Sequence, residues 1–262
     1  MEELGIDRPA LFFMLSGVAL LGDDGGRMAD ITNPYPTVFD ANLAAASAAR
    51  GAGLIEEVGE RWRTTAKGRE VAARFRAEAD KFYATLEPIA RDELSRLATG
   101  LGRALSAIEA SDVPKDHMKR TPRYRGDDRI PMVALDNAIF GLWQARDDCH
   151  MSSWREAGFT GPIFDVLTRL WRREAATEDE LAKKLPGQRP EDIRDGLARL
   201  RAEGMLERAS LDVTSRGASQ RQRVEDETDR KFFAPWPADL GAECPWLVER
   251  LRSVNAALAP RS

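Results

Sequence analysis

The chain carries one piece of punctuation twice. Residues 53–70, GLIEEVGERWRTTAKGRE, and residues 204–220, GMLERASLDVTSRGASQ, both run from a glycine through two apolar residues and a glutamate into a Thr-x-x-Gly step. Gly53-Leu54-Ile55-Glu56 matches Gly204-Met205-Leu206-Glu207, and Thr65-x-x-Gly68 matches Thr214-x-x-Gly217. Further on, Phe82-Tyr83-Ala84 matches Phe232-Phe233-Ala234. A glycine after a helical run ends the helix. Short apolar segments around a tight turn make a two-stranded ribbon, and a threonine before a new helical run caps it. An ordered repetition of all three points to an internal duplication.

The rest of the chain reads as helix. Ala, Leu, Arg and Glu abound and strand-forming runs are scarce. Helices are predicted over 9–21, 27–32, 37–50, 66–86 and 90–110, then over 132–157, 162–173, 178–185 and 190–203, from Thr214 or Ser215 up to the break at 234–237, and over 245–258. Val71, Phe75, Phe82 and Leu86 share one helical face, as do Leu94, Leu97, Leu101, Leu105 and Ile108. Thr177 with Glu180 is a capping box, and APWP at 234–237 ends the helix before it. Residues 111–131, SDVPKDHMKRTPRYRGDDRIP, have three prolines and no apolar period, which predicts a linker, locally basic through Lys115, Lys119, Arg120, Arg123 and Arg125. The expected division is therefore 1–112, a linker at 113–131, and 132–262.

Composition narrows the function classes. Hydrophobic residues at 43% and charged residues at 31% fit a globular protein with a sizeable core. The most apolar stretch, PALFFMLSGVALLG at 9–22, is too short to span a bilayer, and the expectation is a cytoplasmic protein without a membrane partner. Two cysteines, Cys149 and Cys244, give neither a disulfide framework nor zinc-type spacing. The net charge of −4 argues mildly against a dedicated nucleic-acid binder, although a basic stripe can sit on an acidic body.

Small helices, a ribbon and a long trailing helix are the parts of a winged helix-turn-helix, and their duplication accounts for both halves. The steps WRTTAKGRE and LDVTSRGAS resemble the wing-to-helix junction of the MarR-like winged-helix superfamily; the second departs from it with Ala218 where arginine is usual. WQARDDCHMSSWREAGFTGPIFDVLTRLWR (143–172) and DRKFFAPW (229–236) resemble an actinobacterial-type family of tandem winged-helix proteins. The resemblance implies a mostly α fold of two winged helix-turn-helix domains bridged by long helices. It also implies a DNA-binding regulator, either a monomer with pseudo-twofold halves or a homodimer.

Base reading needs Arg, Lys, Asn or Gln on a helix in the major groove. In the first copy TVFDANLAAASAAR offers Asn42, Ser47 and Arg50, with Arg61, Arg63, Lys67 and Arg69 on the wing for phosphates. In the second, Arg189, Arg194, Arg199 and Arg201 alternate with acids, a pattern that also suits a solvated face.

The most chemically loaded stretch is WQARDDCHMSSW. Helical spacing aligns Trp143, Arg146, Asp147, His150 and Trp154, while Asp148 points elsewhere. Two arrangements fit: an aromatic-walled pocket for a small-molecule effector between the halves, with His150 polarised by Asp147, or a buried ion-pair network that docks them. The second function class is accordingly a ligand-binding protein or enzyme that keeps the fold without binding DNA. No catalytic triad order or phosphate loop is visible, and the pattern calls for neither cofactor nor metal.

Overall fold

A computed structural model describes residues 25–26, 46–120 and 126–259 of the 262-residue chain. The helices predicted over 9–21 and 27–32, and most of that over 37–50 with Asn42, lie outside the described residues.

Both copies of the repeated motif have one backbone geometry. Helical residues 46–51 end at Gly53 (φ +71°), and α7 (Pro190–Ala202) ends at Gly204 (φ +70°). The hydrogen bonds that close the two helices correspond: Gly53 N–H to Arg50 O and Leu54 N–H to Ala49 O, against Gly204 N–H to Arg201 O and Met205 N–H to Leu200 O. These are Schellman closures, which need a left-handed residue that glycine adopts without penalty. Thr65 and Thr214 then turn the chain into α1 (Ala66–Tyr83) and α8 (Ser215–Phe233). Each threonine hydroxyl donates to the glycine carbonyl at 2.7 Å, Thr65 to Gly53 and Thr214 to Gly204, and accepts from the N–H of Gly68 or Gly217. A Cβ at Gly68 would lie 2.0 Å from Leu54 O, and one at Gly217 2.3 Å from Met205 O.

Between these fixed points the copies diverge. The first forms an antiparallel ribbon of β1 (Ile55–Val58) and β2 (Arg61–Thr64), with Gly59 (φ +64°) in the turn and Gly26 pairing with Trp62 on the far edge. The second, expected as a ribbon, is a single bridge, Leu206 to Val213, extended by Glu207 N–H to Asp212 O. Ser210 donates to Asp212 and gives the loop a local alternative to a ladder.

The helical body is built on α4 (Pro131–Glu156). Met132, Leu135, Ala138, Leu142, Ala145 and Cys149 form a seam at three- and four-residue spacing. It packs chiefly on α2 (Arg91–Ala110), whose Leu94, Leu97, Leu101, Leu105 and Ile108 are buried as their spacing predicts. Phe232, Leu240, Leu247 and Val254 complete this core. One turn later, Met151 and Trp154 of α4 enter a second core with α5 (Gly161–Trp171), α6 (Glu178–Lys184), α7 and α8. The box at Thr177 caps α6 through Glu180 N–H, and the Glu180 carboxylate reaches back to Ala176 N–H.

Three expectations change. Residues 116–120 of the predicted linker form a short helix, α3 (Asp116–Arg120), packed on α4 with His117 only 2% exposed. Asp148 fixes it, accepting from the backbone N–H groups of His117 at 2.5 Å and Met118 at 3.0 Å. The last helix, α9 (Ala238–Leu258), begins seven residues before the predicted 245 and carries Pro245 inside it. That proline removes one backbone bond, but burial of Leu240, Leu247 and Val254 on both sides of it holds the helix together. Phe82 is 62% exposed; its neighbour Tyr83 packs on the core instead. Among the described residues no helix is long and apolar enough to cross a membrane.

Three glycine substitutions separate these roles. Gly68→Ala and Gly217→Ala drive a methyl into a backbone carbonyl and should each destabilise by about 2 kcal/mol or more. Gly102→Ala meets nothing within 4 Å on α2 and should stabilise by roughly 0.5–1 kcal/mol through helix propensity. Urea denaturation of the three variants checks both signs.

Candidate functional site

The string Arg146-Asp147-Asp148-Cys149-His150 sends each side chain in a different direction. Cys149 is a buried free thiol in the α2–α4 core, pushed up to about 11 by burial first and by Asp148 next. Asp148 holds α3. Arg146 and His150 meet α8 and α5, and Asp147 lies nearest His117 of α3.

Arg146 reaches α8 and binds Glu225 at 2.9 Å and Asp229 at 3.1 Å. Glu225 also accepts from Arg221, one helical turn earlier, at 2.9 Å. Arg221 is 4% exposed, with its guanidinium 4.6 Å from the centre of the Trp171 ring. His150 Nδ1 lies 3.1 Å from the Thr228 hydroxyl and 3.6 Å from Glu225, with its ring edge-on to Phe164 of α5. Thr228 is fully buried and donates to Val224 O, so its oxygen can accept from an Nδ1–H of His150. Burial lowers His150 below its ordinary value, and Arg146, Arg221 and Arg172 reinforce this against the opposing charge of Glu225. Burial alone would raise Glu225, but the Arg146 hydrogen bond and the charges of Arg221 and His150 hold it below its ordinary value.

These residues wall a cleft of about 380 Å³ between α4, α5 and α8. Arg146, Asp147, His150 and Trp154 all line it, with Phe164, Asp165, Thr168, Arg172, Arg221 and Glu225. Trp143, expected on the same face, does not. It is 52% exposed and packs against His117 and Phe140: seven residues before His150 it lies about 10 Å further along the helix axis, where α3 is its neighbour. The expected Asp147–His150 pairing is absent among the described contacts: His150 turns to Thr228, and Asp147 lies 3.6 Å from His117. Burial raises Asp147 to about 6; Arg146 opposes the shift and Asp148 adds to it. A larger cleft, about 640 Å³, lies between the end of α5 and the 210–213 loop, but Arg173 and Asp212 are its charged lining and no buried ionisable groups converge there.

The sequence profile of a helix-turn-helix family matches residues 25–262. The chain belongs to that helix-turn-helix family. No curated protein and no solved structure matches significantly. Membership suggests a DNA-binding regulator, so the cations of this helix-turn-helix protein bear on the partner.

In the first copy the candidate phosphate ligands are engaged within the chain. Arg50 pairs with Glu57 at 3.0 Å and Arg63 with Glu56 at 2.6 Å. Arg61 donates to Gly25 O, Lys67 to Ala52 O and Arg69 to Thr64 O. On α7 and its N-cap, Arg189 pairs with Asp192, Arg199 with Glu203, and Arg194 donates to Pro190 O. The sequence reading passed over Arg208, in the bridged loop, and Arg216, in the first turn of α8. Both are exposed, and neither has an ion-pair or hydrogen-bond partner among the described residues. It also missed Arg221, Glu225 and Thr228, whose spacing at i, i+4 and i+7 was the available signal. Among the described residues no group of three His, Cys, Asp or Glu side chains is placed to hold a metal ion.

Two stability measurements test the network. Asp147 has a folded pKa above its ordinary value, so its stabilising contribution is complete at low pH and is lost as pH rises through about 6. Asp147→Asn should change the melting temperature little at pH 4 and raise it at pH 7.5, by the equivalent of roughly 2–3 kcal/mol. Equal effects at both pH values would place the carboxyl in water. Glu225→Gln strips the charge partner from buried Arg221 and should destabilise by about 3 kcal/mol in chemical denaturation.

Proposed function

We propose that the protein is a DNA-binding transcriptional regulator of MarR-like type, built as two winged helix-turn-helix units within 1–112 and 132–262 and joined through 113–131. The single observation that carries this reading is the shared motif geometry. Helix closure at Gly53 and Gly204 and capping at Thr65 and Thr214 set a long helix behind a ribbon or loop in both copies. Family membership over 25–262 supports the same reading. The cleft between α4, α5 and α8 serves as the effector site: it joins apolar walls to a few convergent polar groups, as ligand sites do. It opens against α8, the helix that trails the second loop, so an occupant acts on the element next to the duplex.

The charges divide the labour between the copies. Arg50 and Arg63 must exchange an existing ion pair for a phosphate, which cancels most of the gain. Arg208 and Arg216 give up none. Phosphate contacts position a protein without reading sequence, and in this chain they fall mainly to the second loop.

A different observation favours the second reading, a ligand-binding protein or enzyme that keeps the fold without DNA. The net charge is −4, and the wing cations of the first copy are held internally.

Fluorescence anisotropy with duplex DNA across a salt series separates the two. The regulator reading expects binding that weakens steeply with salt through counterion release. Arg208→Ala with Arg216→Ala should weaken binding to all sequences alike and lower the salt slope by about 1 per contact removed. Arg61→Ala with Arg63→Ala should do less. No duplex binding at low salt selects the second reading.

A further inference from the structure

The cleft between α4, α5 and α8 contains both signs of charge, and they differ in whether they are already satisfied. Its cations are largely taken. Arg146 is shared between Glu225 and Asp229, Arg221 pairs with Glu225, and Arg172 lies half-exposed at the mouth, 3.7 Å from Glu174. His150, lowered by burial, faces Thr228. Two of its three lining carboxylates have only one long ion contact each. Among the described residues no hydrogen bond reaches Asp147 on α4 or Asp165 on α5; Asp147 has only His117 at 3.6 Å, and Asp165 only Arg169 at 3.7 Å. Both are mostly shielded from solvent, with side chains 17% and 28% exposed.

Buried polar groups are normally hydrogen-bonded, and an exception asks for an occupant. A second observation points the same way. Trp154, 6% exposed on the cleft wall, has its indole Nε1–H without a partner, as has the Thr168 hydroxyl on the wall opposite. Carboxylates without a hydrogen bond call for a cationic donor, and the orphaned indole N–H calls for an acceptor. Phe164 adds apolar wall.

We infer that the cleft binds a small organic cation: an ammonium or amidinium group held between Asp147 and Asp165, on a flat apolar body that carries a hydrogen-bond acceptor for Trp154. The inference rests on reading the cleft as a ligand site and assigns the charge of the ligand. An anion of the same shape would meet two carboxylates that accept no hydrogen bond among the described residues and find Arg146 and Arg221 already committed to Glu225, with Arg172 at the mouth as its one loosely held counter-charge. Burial raises both carboxyls, by itself the largest cause at each, so the apo protein carries them at a stability penalty that an ammonium partner removes. Sites kept for binding at the expense of stability behave this way.

The test uses the full chain and three probes with one phenolic body: tyramine, 4-hydroxyphenylacetate and 4-ethylphenol. Calorimetry and thermal shift should detect tyramine binding, with the anion and the neutral phenol at least about tenfold weaker, the margin of a charge-assisted pair. Asp147→Asn combined with Asp165→Asn should weaken tyramine at least about tenfold while the ligand-free melting temperature holds or rises, which a merely structural pair would not do. Tyramine binding unchanged in the double variant overturns the inference. Preferential binding of 4-hydroxyphenylacetate, lost in Trp154→Ala, overturns the charge class and leaves the cleft as a ligand site. Failure of all three probes overturns both.

Discussion

One helix has to belong to two cores. The 26 residues of α4 place a seam from Met132 to Cys149 in one core, chiefly against α2, then bury Met151 and Trp154 among α5, α6, α7 and α8. A helix of that length is about 39 Å long and is stiff on the scale of the molecule. Neither core can shift along it without unpacking the other. The side chains at the changeover, 146 to 150, are therefore set by both cores at once, and this is where Arg146 and His150 turn to α8 while Asp147 and Asp148 turn to α3.

The contact between α4 and α8 at that changeover is written in charge. Arg221 and Thr228 occupy positions on α8 that Val224 and Phe232 continue, so a buried face alternates guanidinium, isopropyl, hydroxyl and phenyl groups. Such pairs add little net stability, because desolvation offsets attraction, but they fix register. Arg146 binds two carboxylates one turn apart on α8, Glu225 and Asp229. A slip by one turn would leave Arg146 with one of these carboxylates in place of two. Lys231 with Glu156 and Ser152 repeats the device at the end of α4. The cleft is the space this crossing leaves open, so its shape follows from where α8 sits.

The two copies of the motif share backbone chemistry and little else. Gly53 and Gly204 differ by 1° in φ, and the threonine caps agree within 0.1 Å. The intervening residues made a three-edged ribbon in one copy and a bridged loop in the other. The aromatic pairs that match in sequence differ in use: Phe82 is exposed and Tyr83 packs, whereas Phe232 packs and Phe233 is exposed.

Short-range physics made much of this legible without coordinates. Helix ends follow from local groups: a left-handed position that suits glycine, a threonine hydroxyl within reach of an N–H three residues on. Hence Thr65, Thr177, Thr214, Gly53 and Gly204 stood out in one dimension, and so did the apolar seam of α2. The face of α4 was legible from spacing for Arg146, Asp147, His150 and Trp154. What the sequence could not specify was the partner. Arg221, Glu225 and Thr228 form a buried face without an apolar period, and in isolation α8 resembles any solvated, charge-mixed helix. His117 sits in a stretch with the composition of a linker, yet Asp148, 31 positions away, folds it. Local sequence therefore determined where each helix starts and stops. The packing of α8 and α3 on α4 decided which charges are satisfied and which face an open cleft, because the energy of a buried charge depends on neighbours that only the tertiary structure brings together.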